Sequence, residues 1–270
     1  MTESSGNNGR KHVDREKVLE LADVTKVFGG LRAVDSFTMT VHEGEIHSLI
    51  GPNGAGKTTV FNVVTGIYRP ENGRVRFNDE DITGGKPHEI VKKGIARTFQ
   101  NIRLFKNMTC LENIMAGRHS RTKAGLAASV FRSAEQREEE KNILKVSEKR
   151  LEQVGLSYVR NELAKNIAYG NQRMLEIGRA LAAEPSLLVL DEPSSGLNNR
   201  ETEDLMGFIR KLIDEEKITI LLIEHDMNLV MGISDWVTVM EQGRKIAEGT
   251  PEHIYHNPKV IEAYLGREDG

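Results

Sequence analysis

The run GPNGAGKTT, Gly51 to Thr59, has the spacing G-x-x-x-x-G-K-[ST], and its residue types suit a phosphate-binding turn. Gly51, Gly54 and Gly56 let the backbone curl so tightly that successive N–H groups converge on phosphate oxygens. Lys57 would reach the β- and γ-phosphates of a nucleotide, and Thr58 would offer a hydroxyl to Mg²⁺. Far downstream, LLVLDEP (Leu187 to Pro193) sets two carboxylates side by side after an unbroken apolar run, the pattern of a buried parallel strand. The two acids suit different tasks. Asp191 fits the Mg²⁺ shell and Glu192 a general base on an attacking water, because beside a triphosphate the metal needs only one carboxylate. A lone acidic pair also fits a solvated turn, so its meaning comes from the glycine-rich run. LLIEHD (Leu221 to Asp226) repeats the arrangement, a second apolar strand ending at His225. A single histidine at a strand end is more often structural. Parallel strands would nevertheless bring His225 to the same edge as Glu192, where it could sense a γ-phosphate or orient Glu192 and its water. Gln100, in RTFQN, reads by itself as an exposed loop residue and gains meaning only from the set.

These residues need strands and helices to hold them. EIHSLI runs straight into the glycine-rich turn and TVFNVVTG follows it as a helix, which is where a phosphate turn must sit. KVLELADVTKVF and AVDSFTMTVH alternate apolar and polar residues like antiparallel strands with one wet face, and GRVRFNDEDIT reads as another exposed strand and turn. From about Leu104 to Ala164 charged residues at helical spacing dominate, notably SAEQREEEKNILKVSEKRLEQVGL, with opposite charges at i,i+4. This predicts a helical insertion with a solvated face. SLLVL and ITILLI then alternate with the helical stretches ETEDLMGFIRKLIDEE and MNLVMGIS, the signature of parallel βαβ units. The expected architecture is α/β, with a mostly parallel core sheet, an antiparallel β subdomain and an inserted helical subdomain. Residues 15–270 are read as one domain, with 104–164 and the helix from 167 as the helical part and 250–270 as a helical tail. Residues 1–14, rich in Ser, Gly and Asn, read as a mobile tail.

Composition narrows the class. The 270 residues are 38% hydrophobic and 29% charged, with a mean hydropathy of −0.43, values of a soluble globular chain. The longest apolar runs fall far short of the roughly 20 residues that span a bilayer, so any membrane role needs spans from another chain. MTESSGNNGRKHVDREK has no apolar signal-peptide core, and a cytoplasmic location is expected. Cys110 is the one cysteine, read as a free core thiol in a reducing compartment. A net charge of −3 argues against a general nucleic-acid binder.

Taken together, the motifs and their order resemble the ATP-binding cassette (ABC) ATPases, from about residue 18 to the end of the chain. The resemblance makes Gly51 to Thr59 the Walker A, Gln100 the Q-loop, Leu187 to Glu192 the Walker B with its catalytic glutamate, SSGLN (Ser194 to Asn198) the D-loop and His225 the switch histidine. It implies ATP and Mg²⁺ as ligands. ATP would be held by Gly51, Pro52, Asn53, Gly54, Ala55, Gly56, Lys57, Thr58 and Thr59, and Mg²⁺ by Thr58, Asp191 and Gln100. Phe28, in KVFGGLRAV, would stack on adenine, although a strand-end core phenylalanine is the alternative. Glu192, His225 and Gln100 are the implied catalytic set.

A second helix start, IAYGNQRMLEIGRAL (Ile167 to Leu181), occupies the place of the family signature usually written LSGGQ. In that family the signature binds the γ-phosphate of ATP held by the other subunit of a head-to-tail dimer, here through Ala168, Tyr169, Gly170 and Asn171. Ala168 lacks the usual hydroxyl, a loss of roughly 1.5–3 kcal/mol if nothing replaces a bond to a charged acceptor. Asn198 stands where the D-loop usually has Asp. AYGNQRMLEIGRAL, HDMNLVMGISDWVTVMEQG and GTPEHIYHNPKVIEAYLG resemble the ATP-binding subunits of branched-chain amino-acid importers, in which Ala-Tyr-Gly is an ordinary form of the signature. The resemblance implies a second ATPase subunit, integral-membrane permeases and, indirectly, an extracytoplasmic amino-acid-binding protein as partners, and a place on the inner face of the membrane. A lipopolysaccharide-exporter ATPase, or a soluble ABC protein, is the alternative.

Overall fold

The computed structural model describes residues 15–118 and 134–265; the expected mobile tail, residues 1–14, lies outside the described residues, as does part of the insertion. In chain order the elements are β1 (Lys17–Phe28), β2 (Leu31–His42), β3 (Ile46–Ile50), α1 (Lys57–Val64), β4 (Asn72–Phe77), β5 (Glu80–Asp81), α2 (Pro87–Lys93) and β6 (Ile95–Arg97). There follow α3 (Cys110–Arg118), α4 (Ala134–Gln153), α5 (Tyr169–Leu181), β7 (Leu187–Asp191), α6 (Asn199–Glu216), β8 (Thr219–Ile223) and α7 (Met227–Ile233). The chain ends with β9 (Trp236–Glu241), β10 (Arg244–Gly249), α8 (Pro251–Tyr255) and α9 (Pro258–Leu265).

Among the described residues the strands form two sheets, ordered β2-β1-β4-β5 and β10-β9-β3-β8-β7-β6. The first is antiparallel throughout. In the second, β3 pairs in parallel with β8 and β9, and β7 with β8 and β6, while β10 folds back antiparallel on β9. Every residue of β3, β7 and β8 is buried, because both faces of this sheet are covered. Leu49, Leu187, Val189, Leu221 and Ile223 pack with Phe37, Met39 and Phe61 on one face. Their neighbours Ile46, Leu188, Leu190, Ile220 and Leu222 pack with Leu181, Leu205 and Ile209 of α5 and α6 on the other. Strand geometry sends successive side chains to opposite faces, so a doubly covered strand must read as a continuous apolar run.

The helical insertion has its own small core, in which Cys110, Ile114, Leu151, Val154 and Leu175 are buried together. The free thiol is thus a packing residue, and burial pushes its ionisation up. The β9–β10 hairpin was not read as a pair of strands from the sequence. It turns at Gln242 and Gly243, both at positive φ, the geometry of a tight two-residue hairpin.

Candidate nucleotide site

The glycine-rich turn joins the end of β3 to α1. Gly51 has φ +151°, and a Cβ there would lie 2.0 Å from the Met240 carbonyl oxygen of β9. Gly56, the residue before α1, has φ +107°, and its Cβ would lie 2.3 Å from the Ala33 carbonyl oxygen of β2. Sterics therefore require glycine at both ends of the turn. Lys57 is buried, and its Nζ donates to the carbonyls of Gly51 at 2.6 Å and Pro52 at 3.0 Å. Desolvation lowers its ionisation, with the charges of Glu192 and Asp191 pulling the other way. No side chain caps α1, so its first N–H groups, with the positive end of the helix dipole, are left for an anion. Thr58 is exposed and Thr59 half-buried on that first turn; Asn53 and Gly54 are exposed, Pro52 half-buried and Ala55 buried.

The two neighbouring strands deliver the acids. Asp191 closes β7, and Arg97 of β6 donates to its Oδ2 at 2.7 Å. Arg97 also donates to Asn62 Oδ1 and Thr65 Oγ1 of the segment around α1, so it ties β6, β7 and the phosphate-turn helix together. Glu192 sits one residue beyond the strand at φ +46°, a left-handed conformation that costs energy in a non-glycine residue and is held by Glu192 N–H donating to Ile223 O at 3.0 Å. Its Oε2 accepts from Gln100 Nε2 at 2.8 Å and lies 3.7 Å from His225 Nδ1. Glu192, Gln100 and His225 thus share one edge of the sheet. Thr58, Asp191 and Gln100 offer only oxygen donors, the chemistry a hard Mg²⁺ ion takes. Among the described residues no group of three or more His, Cys, Asp or Glu is placed to hold a metal.

Phe28 is not a core residue. It is 40% exposed, meets Tyr68 edge-on at 5.1 Å, and has Lys26 Nζ 5.1 Å from its ring centroid. It ends β1 at the hairpin whose other strand carries Ala33 against Gly56. A partly exposed aromatic ring at this position suits stacking on a purine base.

The second helix start is built from different contacts. Ala168 precedes α5 and makes no side-chain cap. Tyr169 donates its hydroxyl hydrogen to the Ser195 carbonyl at 3.2 Å and its ring lies under Gly196, where a Cβ would come within 2.9 Å of Cε1. At Gly170 a Cβ would come 2.6 Å from Glu201 Oε1. Asn171 Nδ2 donates to the Tyr158 hydroxyl at 2.9 Å, so its amide is turned toward its own helical subdomain. Asn198 is the cap of α6: its Oδ1 accepts from Glu201 N–H and its own N–H donates to Glu201 Oε2, both at 3.0 Å. Asparagine caps as well as aspartate, which gives the replacement in the SSGLN run a local reason.

Sequence reasoning missed four participants. Arg97 holds Asp191, and Tyr68 backs Phe28. Glu224, fully buried, accepts from Ser194 N–H and Oγ and from His225 N–H; burial raises its ionisation. Arg173, fully buried on α5, donates to the Phe99 and Gln100 carbonyls at 2.8 Å each and pairs with Glu176 at 3.0 Å. Glu224 stands beside His225 in LLIEHD, which was a signal; Arg173 had none beyond its place in a helical run.

A phosphate turn launched from a central parallel strand, with acids delivered by the next strands, defines a P-loop nucleoside triphosphatase. The ABC transporter family matches residues 34–195, and the chain belongs to that family as one of its ATPases. A second family, the branched-chain amino acid ATP-binding cassette transporter, matches residues 244–270. The chain is 48% identical over 249 residues to the high-affinity branched-chain amino acid transport ATP-binding protein BraF of Pseudomonas aeruginosa, covering 92% of this chain and 98% of that protein. To LivG of Escherichia coli, of the same description, it is 47% identical over 239 residues, covering 88% and 94%. Among solved structures it is similar to MJ1267 in its ADP conformation, an ATP-binding cassette of an ABC transporter, with a TM-score of 0.80, 33% identity and coverage of 93% and 100%.

Proposed function

We propose that this ATPase drives a membrane importer of branched-chain amino acids, and that Glu192 is its general base. What supports the base is its position: a carboxylate forced into a left-handed conformation at a strand end, with one oxygen held by Gln100 and His225 nearby. In this reading Glu192 takes a proton from the water that attacks the γ-phosphorus, and ADP and phosphate leave. His225 orients Glu192 and the γ-phosphate. Lys57 exchanges its two carbonyl partners for phosphate oxygens, and Phe28 receives the adenine. Mg²⁺, held by Thr58, Asp191 and Gln100, would supply charge neutralisation at the β- and γ-phosphates. Arg97 positions Asp191 for that duty.

The signature, Ala168 to Asn171, and the D-loop around Asn198 act on the nucleotide of a second ATPase subunit, so two ATP close a dimer and hydrolysis reopens it. Among the described residues no helix is long and apolar enough to cross a membrane, and permease subunits supply the spans while this chain lies on the membrane's inner face. An extracytoplasmic binding protein delivers the cargo indirectly. The likeness to BraF and LivG supports the choice of leucine, isoleucine and valine. Glu192→Gln tests the assignment: turnover should fall by about a thousandfold or more, on the scale of losing a general base, while ATP binding persists and the closed dimer accumulates. Turnover at the wild-type rate would remove Glu192 from the role.

A further inference from the structure

Hydrolysis gives Lys26, Tyr68 and Glu71 no task, yet all three are built around the end of β1 that carries Phe28. Lys26 and Phe28 lie two residues apart on that strand, so its geometry sends both to the same face. Lys26 Nζ sits over the Phe28 ring, 5.1 Å from its centroid, and 5.9 Å from that of Tyr68. Tyr68 meets the Phe28 ring edge-on, with the centroids 5.1 Å apart and the planes at 71°. The Lys26 side chain is only 13% exposed, and an ammonium that has lost most of its water needs partners. Its Nζ donates to the Arg69 carbonyl at 2.9 Å and to Glu71 Oε1 at 2.7 Å. Glu71 Oε2 accepts from Val27 N–H at 2.8 Å, and Glu71 N–H donates to the Thr25 carbonyl at 2.9 Å. The segment after α1 is thus stitched to β1 on both sides of Lys26.

The same segment is fixed at its start. Ile67 and Tyr68 donate their N–H groups to the Asn62 carbonyl of α1 at 2.8 and 3.0 Å, and Asn62 Oδ1 accepts from Arg97 at 2.7 Å. One short helix therefore has the phosphate turn at its beginning and Tyr68 just beyond its end. A partly exposed ring at a hairpin loses rotamer freedom when it stacks on a ligand, and that entropy opposes binding. An edge-on neighbour and a cation over the ring each favour one orientation in advance. We propose that Lys26 and Tyr68, with Glu71 holding Lys26, are positioning residues that set the Phe28 ring as the stacking surface for the base of a nucleoside triphosphate, which rests on the assignment of Phe28 to adenine. The base end and the phosphate end of the site are then held in one frame by α1.

Binding of ATP and of inorganic tripolyphosphate to the full chain tests this, because only ATP carries a base. Lys26→Met keeps the apolar stem and Tyr68→Leu keeps an apolar side chain; each should weaken ATP binding about fivefold, the scale of one aromatic or cation–π contact. Tripolyphosphate affinity should stay within about twofold of wild type, and with ATP the loss should appear in KM while kcat holds. In a Phe28→Ala background, Lys26→Met should change ATP affinity by no more than about twofold further, because its effect passes through the ring. ATP affinity within about twofold of wild type in either variant overturns the proposal. An equal loss for ATP and tripolyphosphate also overturns it, since the defect would then lie at the phosphate turn. So does an undiminished effect of Lys26→Met in the Phe28→Ala background, because Lys26 would then touch the nucleotide itself. Phe28→Ala alone separates two failures. If it leaves ATP affinity unchanged, the adenine assignment falls and the positioning role with it; if it weakens ATP while Lys26→Met and Tyr68→Leu do not, only the positioning role falls.

Discussion

Two helices of this chain start where the proposed reading places a phosphate, α1 after Gly56 and α5 after Ala168, and both lack the side-chain cap that Asn198, Asp226 and Thr250 give to α6, α7 and α8. An uncapped start leaves N–H groups for an outside acceptor. Beyond that the two differ. The α1 start is closed by its own turn: Lys57 bonds back to Gly51 and Pro52, and backbone walls from β2 and β9 fix the glycines. The α5 start is held by contacts to the segments that follow β7 and β6, Tyr169 to the Ser195 carbonyl and Arg173 to the Phe99 and Gln100 carbonyls. In the proposed reading the first start carries its own phosphate ligands. The other carries backbone donors and tethers, which suits a site that is finished only when a second subunit presents its nucleotide.

The sharpest way to separate them is to remove the charge from the first. Lys57→Met should weaken ATP binding by about a hundredfold, or roughly 3 kcal/mol, since a buried ammonium that can bond two phosphate oxygens disappears. A titration of the isolated chain measures this without requiring a dimer. Near-normal affinity would mean that the backbone cradle and helix dipole alone bind the nucleotide.

Next comes the tether of the second start. Arg173→Lys keeps the charge beside buried Glu176 but cannot reach two carbonyls and a carboxylate at once, because the ammonium lacks the planar fork. The expected loss is about 2–4 kcal/mol, read as a thermal melt lower by about 5–12 °C. Turnover should fall further than the folded fraction, because the Gln100 backbone is released. A melt within about 2 °C of wild type would show that the Q-loop segment is fixed by something else.

A smaller effect tests the capping reading at the D-loop. Asn198→Ala should cost about 1 kcal/mol, whereas Asn198→Asp should change stability by no more than about 0.5 kcal/mol. Equal melts for all three proteins would mean that the reciprocal bonds with Glu201 contribute nothing.

The contrast between the two starts also marks what the sequence could convey. Spacing within one continuous run carries its chemistry openly, so Gly51 to Thr59, the apolar strands β7 and β8 and the acids after Leu190 were legible. Residues whose roles come from distant partners were not. Arg97 reaches Asp191 across 94 positions and Arg173 reaches Phe99 across 74, and nothing in either neighbourhood announces those contacts. Glu224 looks like a surface acid beside His225 until the fold buries it beneath Ser194. The left-handed turn at Glu192 leaves no trace in composition, since glutamate is not a residue type that favours it. Strands β9 and β10 escaped because β10 is half-buried, without clean alternation, and the register slips between Lys245 and Ala247.

The smallest expected effect is the most telling for the second start. If Ala168 left a real vacancy in a phosphate site, restoring serine would add a bond to a charged acceptor and raise turnover by about ten- to a hundredfold. The local geometry argues otherwise. Ala168 already has the extended conformation of a cap residue, with φ −57° and ψ 154°, so a serine hydroxyl there would accept from the N–H of Gly170 or Asn171. It would cap α5 and withdraw one of the donors that the uncapped start leaves free. Ala168→Ser should therefore raise stability by about 1 kcal/mol while turnover stays within about twofold of wild type. A large gain in turnover with no gain in stability would reverse the comparison, making the second start an impaired copy of the first and not a site built to be completed by another chain.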